Sequence, residues 1–348
     1  MKPQAYTEFQ PLEEVLVGRG YTIDHFESLD IPFSTSTKNL MTHLLDETEE
    51  DFQGLIKTLE DLGVKVRRPP ASAYTKGFGH KLGGAYLMTP RDDQIVIDNK
   101  ILFGQYHTSL GQGFITALED YRKSFLPDPA FKNLVCASIV RLGEHIIVDE
   151  NEHANTELHA KRIAKYFEPL GYKIIYSKLH DVKMKNMVSH TDAVFATLKP
   201  GLLLLAENST TVAKELESWD IIKVSKEQKL SAGTRFQKFR HTKHEYIKDV
   251  SYAFEDSKYN DERWFTFLNT WFTSLMGYSE ETYFDVNCLV VDEENVIFSS
   301  YNKEIFKQLE KRGINPIVCR WRHRLFWDGG IHCITLDLKR KGNRERYL

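Results

Sequence analysis

A thiol that does covalent chemistry needs a fixed position and a neighbour able to take its proton. Cys333 meets the first condition. It lies in Asp328-Gly329-Gly330-Ile331-His332-Cys333-Ile334-Thr335-Leu336-Asp337, where two glycines lead into a strand-like run from Ile331 to Leu338. Such glycines let a backbone turn tightly or approach a ligand closely. The second condition points to Ser189-His190-Thr191-Asp192. On a strand, residues two apart share a face, so His190 and Asp192 project together. A histidine beside a carboxylate shuttles protons near neutral pH, and with Cys333 it makes a Cys-His nucleophilic arrangement. Asp92, in Pro90-Arg91-Asp92, adds a second carboxylate. Asp92 and Asp192 together suit a guanidinium, whose planar fork matches carboxylates bidentately.

The same residues admit plainer roles. A cysteine in a strand is commonly a small buried hydrophobe. Asp92 fits a solvated turn, His190 a satisfied buried histidine, and Asp192 a backbone cap. On a strand His332 alternates away from Cys333 and so faces a different layer. Cys136, Cys288 and Cys319 lie in apolar strand runs and read as packing.

The elements that must position these residues form a repeat. Strand, tight turn, strand, helix, strand recurs along the chain. Ser138 to Leu142, Ile146 to Val148, a helix over Asn155 to Leu170 and Tyr172 to Tyr176 make one clear copy. Ala193 to Thr197, Leu202 to Leu205, a helix over Thr211 to Glu217 and Ile221 to Val224 make a second. Asn287 to Val291, Val296 to Phe298, a helix over Lys303 to Arg312 and Pro316 to Cys319 make a third. Two copies are blurred. One holds Gln94 to Ile97, Ile101 to Phe103 and a helix around Phe114 to Phe125. The other holds Glu14 to Val17, a helix over Thr48 to Leu62 and Val64 to Val66. A hairpin opens each clear copy, which a parallel βαβ fold does not need. Radial repetition then predicts a propeller-like single domain spanning 1–348. Clusters at comparable places, Val135-Cys136-Ala137-Ser138 among them, would converge on its axis. Residues 228–284 interrupt the repeat as an aromatic-rich insert. Its apolar stripe (Trp264, Phe267, Leu268, Trp271, Phe272, Leu275 and Met276) has helical spacing.

The composition excludes other classes of function. The 348 residues carry 46 basic and 49 acidic side chains, a net charge of -3 that does not suggest nucleic acid or a membrane surface as partner. No apolar run is long enough to span a bilayer. The N-terminus has no secretory or import pattern, and four cysteines without CxxC spacing read as reduced thiols in the cytoplasm. No cofactor or metal is implied, because no ligand cluster has metal spacing.

Six stretches carry a resemblance. PLEEVLVGR (11–19), GVKVRRP (63–69), MTPRDDQIVIDN (88–99), SHTDAVFATLKPGLLLL (189–205), DVNCLVVDEENVIF (285–298) and GGIHCITLDLKRKG (329–342) occur in this order. Together they resemble the amidinotransferases, the glycine and inosamine enzymes of the guanidino-modifying pentein superfamily. The resemblance implies an α/β fold, a five-bladed ββαβ propeller, and transfer of an amidino group from a guanidino donor such as arginine to an amine acceptor. It implies Cys333 as nucleophile, His190 as general acid/base, Asp92 and Asp192 as the guanidinium clamp, and a homodimer. It also marks departures. The family's catalytic carboxylate falls on Val135 and its second acid on Ser138. An arginine that binds the donor carboxylate falls on Ser209, and a serine at the amino-acid end falls on Glu281. Glu281 there favours a cationic or hydroxyl-bearing group, and Asp328 or Glu281 is the candidate substitute for the lost carboxylate. Two alternatives follow: a pentein hydrolase of guanidines, or a non-catalytic guanidine-binding protein.

Overall fold

Tight turns between short apolar runs set the architecture. The computed structural model describes residues 2–24, 35–70, 88–104, 114–126, 131, 134–149, 156–177, 190–207, 213–224, 283–327 and 329–348. Within them are five three-stranded sheets of one design. In each, the first strand runs antiparallel to the second, and the second runs parallel to the third. β3 (Gln94–Ile97), β4 (Lys100–Phe103) and β5 (Phe125–Leu126) form one. β6 (Ile139–Leu142), β7 (His145–Asp149) and β8 (Lys173–Ser177) form the next. β9 (Phe195–Lys199), β10 (Leu202–Ala206) and β11 (Asp220–Val224) follow, then β12 (Leu289–Val290), β13 (Asn295–Phe298) and β14 (Asn315–Val318). The fifth sheet joins the chain ends. β15 (Thr335–Arg340) pairs antiparallel with β1 (Leu12–Val17), which pairs parallel with β2 (Lys65–Arg67). Gly143 and Gly201 make two of the hairpin turns at φ of 65° and 78°, a left-handed backbone that glycine adopts without strain.

The helices of the repeat are α1 (Thr35–Asp61), α3 (Thr156–Phe167) and α4 (Lys303–Glu310). In α4, Ile305, Phe306 and Leu309 are buried, one face at the expected spacing. Asn302 caps it, accepting from the Glu304 and Ile305 amides. The 114–125 helix is instead a helical turn followed by a 3-10 helix, Glu119–Ser124. The fourth unit shows only a 3-10 turn, Lys214–Leu216, with residues 211–212 outside the described set. Helix α1 begins thirteen residues before the predicted Thr48. Its polar-looking centre is buried by pairing: Glu47 bonds His323, Asp51 bonds Arg322, and Thr48 accepts from the Trp327 indole at 3.1 Å. Leu62 lies beyond the helix and is 36% exposed, so it is not part of the core face.

A buried ionic cluster links the sheets. Asp337 on β15 accepts from Arg91 (2.8 Å), Arg141 of β6 (2.5 Å) and Arg340 (2.8 Å). Arg141 also bonds Glu8, and Arg340 donates to the carbonyls of Gln10 (2.5 Å) and Val290 of β12 (2.7 Å). All five side chains are buried. Every carboxylate has a guanidinium against it, the condition under which buried charge is tolerated. Among the described residues no helix is long and apolar enough to cross a membrane.

Candidate active site around Cys333

The strand predicted from Ile331 begins only at Thr335; residues Ile331 to Ile334 form a turn. Cys333 therefore sits in a turn whose backbone is held from outside. Asn287 grips it twice: Oδ1 accepts the Cys333 amide at 3.1 Å, and Nδ2 donates to Sγ at 3.0 Å. The same Nδ2 donates to the Asp192 carbonyl at 3.0 Å, tying the two segments together. Gly330 permits this approach. A Cβ there would stand 2.6 Å from Asn287 Oδ1, whereas one at Gly329 would find ordinary contact, the nearest atom at 3.5 Å.

Asp192 lies on a 3-10 turn, Thr191–Ala193, not on a strand. Its Oδ2 is 3.5 Å from Cys333 Sγ and 2.7 Å from His332 Nδ1. His332 was expected to face a different layer. It does not, because alternation fails in a turn, and it joins the cluster, with Glu8 3.6 Å from its Nε2. His190 flanks the Asp192 turn, and its Nδ1 is 3.8 Å from Asp92 Oδ1. Asp92 stands on α2 (Pro90–Asp93), a one-turn helix where a simple turn was expected. Asp192 is thus beside the Cys333 thiol and His190 beside Asp92, at 3.5 and 3.8 Å.

Electrostatically the site is short of positive charge. Burial, then Asp192 and Asp92, push the Cys333 thiol well above the usual range, which favours its protonated form. Burial also opposes ionised Asp192, but its hydrogen bond to His332 together with the charges of His332, His190 and Arg91 outweighs that and lowers its pKa. Burial and Arg91 press His332 down, yet its bonds to Asp192 and Glu8 leave it raised. Asp192 Oδ1 and Thr191 Oγ1 have no hydrogen-bond partner among the described residues. A cation entering here would meet carboxylate oxygen that the protein leaves unused.

The remaining expected residues divide. Ser138 is buried on a 3-10 turn, Cys136–Ser138, beside half-buried Val135. Ser209, Glu281 and Asp328 lie outside the described residues, as does the 228–284 insert save its last two residues. Cys136, Cys288 and Cys319 are buried, and burial raises each thiol, Cys288 to about 12. The described residues hold no group of His, Cys, Asp and Glu able to bind a metal. Reasoning from sequence missed Asn287 and Glu8. Asn287 had one available signal, a polar residue opening the apolar DVNCLVV run.

No family model matches the chain. The L-arginine:L-lysine amidinotransferase of Pseudomonas savastanoi pv. phaseolicola is 23% identical over 99% of this chain and 96% of its own length. Among solved structures, an amidinotransferase of saxitoxin biosynthesis from Microseira wollei superposes with a TM-score of 0.65 at 20% identity, covering 99% of both chains. A dimethylarginine dimethylaminohydrolase superposes with a TM-score of 0.56 at 14% identity, over 93% of this chain and 99% of its own. The curated homologues of this chain are amidinotransferases, of arginine:lysine, inosamine-phosphate and glycine type, and its fold is the pentein fold they share with the dimethylarginine dimethylaminohydrolases.

Proposed function

We propose that the protein moves an amidino group from a guanidino donor, with L-arginine the first choice, to an amine acceptor through an amidino-cysteine at Cys333. The observation that carries this reading is the pairing of a clamped, buried thiol with Asp192, whose Oδ1 has no hydrogen-bond partner among the described residues. Asp192 lies 3.5 Å from Sγ, and Asp92 acts on the same sulfur. A guanidinium seated between them supplies the missing positive charge. It also lowers the thiol pKa that the carboxylates had raised. The nucleophile is then activated by its own substrate.

The steps balance. The Cys333 proton passes to His190, and Sγ attacks the guanidinium carbon. The bond from that carbon to the donor's substituted nitrogen breaks, and His190 protonates the departing amine. The acceptor amine then attacks the amidino carbon, His190 takes its proton, the C–S bond breaks to release the thiolate, and His190 returns the proton to sulfur. The five sheets of one topology, three of them (β15, β6 and β12) tied at their first strands by the Asp337, Arg141 and Arg340 bonds, support closure into a five-bladed propeller with this site near its axis.

A second reading, hydrolysis of the amidino-cysteine by water, is favoured by the fold shared with a dimethylaminohydrolase. Turnover with arginine, with and without added primary amines, separates the two. Transfer requires continued ornithine release that depends on acceptor and yields a guanidinylated amine. Acceptor-independent turnover to ornithine and urea, the products of water attacking the amidino-cysteine, would sink the transferase reading, as would ammonia with citrulline.

A further inference from the structure

The transfer steps leave one member of the cluster without a role. His332 lies between two carboxylates, its Nδ1 2.7 Å from Asp192 Oδ2 and its Nε2 3.6 Å from Glu8 Oε2. The first distance is a hydrogen bond and the second an ion-pair contact. Both ring nitrogens face acceptors, and only the imidazolium donates from both. Glu8 is anchored in turn: Arg141 Nε donates to it at 2.7 Å, and Arg91 Nη1 stands 3.6 Å away. The imidazole is thus pinned on one side to the paired ionic cluster and on the other to the carboxylate beside the thiol.

Asp192 needs such a partner. A carboxylate that grips a guanidinium must be ionised, and Asp192 is 5% exposed, where burial favours the neutral acid. Asn287 Nδ2 holds its backbone carbonyl at 3.0 Å, and His332 holds Oδ2. That leaves Oδ1, which has no hydrogen-bond partner among the described residues, for a ligand. His332 directly precedes Cys333, so the turn that presents the nucleophile also presents the donor that sets the carboxylate. The titratable and charged groups facing this pair are Glu8, Arg91 on α2, His190 at the start of the Thr191–Ala193 turn, and Cys333.

We propose that His332 is the positioning residue for Asp192: its Nδ1–H bond keeps the carboxylate ionised and oriented to receive the guanidinium of the donor. The guanidinium rests on the amidino-transfer reading above. The electrostatics agree with the geometry. Despite burial and Arg91, His332 titrates above its ordinary range, and despite burial Asp192 titrates below its own.

The test compares the wild type with two variants. His332→Gln carries its amide toward the place of Nε2, keeping the Glu8 side and dropping the Nδ1 donor. His332→Asn puts an amide where Nδ1 stands. Two readouts are followed from acid to mildly alkaline pH: carboxyl-carbon NMR titration of Asp192 without ligand, and the arginine half-saturation of Cys333 amidination. In His332→Gln the Asp192 titration should move to higher pH. Arginine half-saturation should rise about 30-fold at mildly acidic pH, a gap that narrows as rising pH ionises the carboxylate without help. The saturated rate should change far less. His332→Asn should recover most of the shift in both readouts. A packing role predicts neither pattern, because lost packing raises half-saturation by one factor at every pH and leaves Asp192 titrating as before. An Asp192 curve in His332→Gln that superimposes on the wild type, a half-saturation ratio that does not change with pH, or no recovery in His332→Asn overturns the assignment. If no guanidine amidinates wild-type Cys333, the amidino-transfer reading fails, and the Asp192 titration alone decides the role of His332.

Discussion

Two carboxylate clusters meet at Glu8, which contacts both Arg141 and His332, and they are built on opposite terms. In the first, Asp337 and Glu8 are matched by Arg91, Arg141 and Arg340, with hydrogen bonds on every guanidinium. Three cationic partners hold Asp337 far below its ordinary range despite burial. In the other, Asp192 lies 3.5 Å from the Cys333 thiol and bonds the His332 imidazole, and among the described residues no guanidinium bonds it. Asp192 and Asp337 are both buried, so burial does not distinguish the two clusters. Pairing does: guanidinium groups neutralise the first, and in the second the Asp192 Oδ1 has no hydrogen-bond partner among the described residues.

Removing one member of the paired cluster gives the largest expected effect. Asp337→Asn leaves three arginines short of a partner and should cost about 3–5 kcal/mol, read as a fall in denaturant midpoint. Gly330→Ala comes next. It forces a Cβ onto Asn287 and should cost about 1–3 kcal/mol while slowing Cys333 chemistry. Gly329→Ala should stay within about 0.5 kcal/mol of wild type. Equal effects from the two glycines would break the account of the Asn287 clamp.

Asp93→Asn should move stability the other way. Burial and Asp92 hold the folded Asp93 carboxyl well above the usual carboxylate range, so above the unfolded value of about 4 the unfolded chain loses this proton before the folded one. Folded stability then falls as pH rises through that window. The variant's advantage should be near zero around that pH and grow toward neutrality, in thermal midpoints measured across pH. Asp337 has the opposite sign. Its contribution is complete above the unfolded value and is lost only as pH falls toward its lowered folded pKa. The smallest effect expected is on reactivity. Asp192→Asn removes a charge that raises the thiol pKa, so iodoacetamide alkylation of Cys333 at neutral pH should quicken several-fold over a slow wild type. Slower alkylation in the variant would contradict the electrostatic reading.

The repeat was legible because hairpin glycines and apolar runs are local signals, and the five sheets follow them closely. That Asp192 would lie by Cys333 and His190 by Asp92 was legible because their residue types suit one chemistry. What failed was direction. The strand period was applied across Ile331 to Ile334, which is a turn, so His332 was turned away from the thiol it neighbours. Asn287 and Glu8 were missed because their contacts lie far away in the sequence; Glu8 meets Arg141 and His332 only through the fold. The start of α1 was missed because Glu47, Thr48 and Asp51 are polar yet buried by long-range bonds, which hydrophobic periodicity does not register.

The most direct test of the central claim is intact-mass analysis of the protein mixed with L-arginine and no acceptor, followed by peptide mapping. The account predicts a mass increase equal to one amidino group, located on Cys333, absent in Cys333→Ala, and discharged when an amine acceptor is added. An adduct on another residue, or none with arginine and a panel of other guanidines, would contradict it.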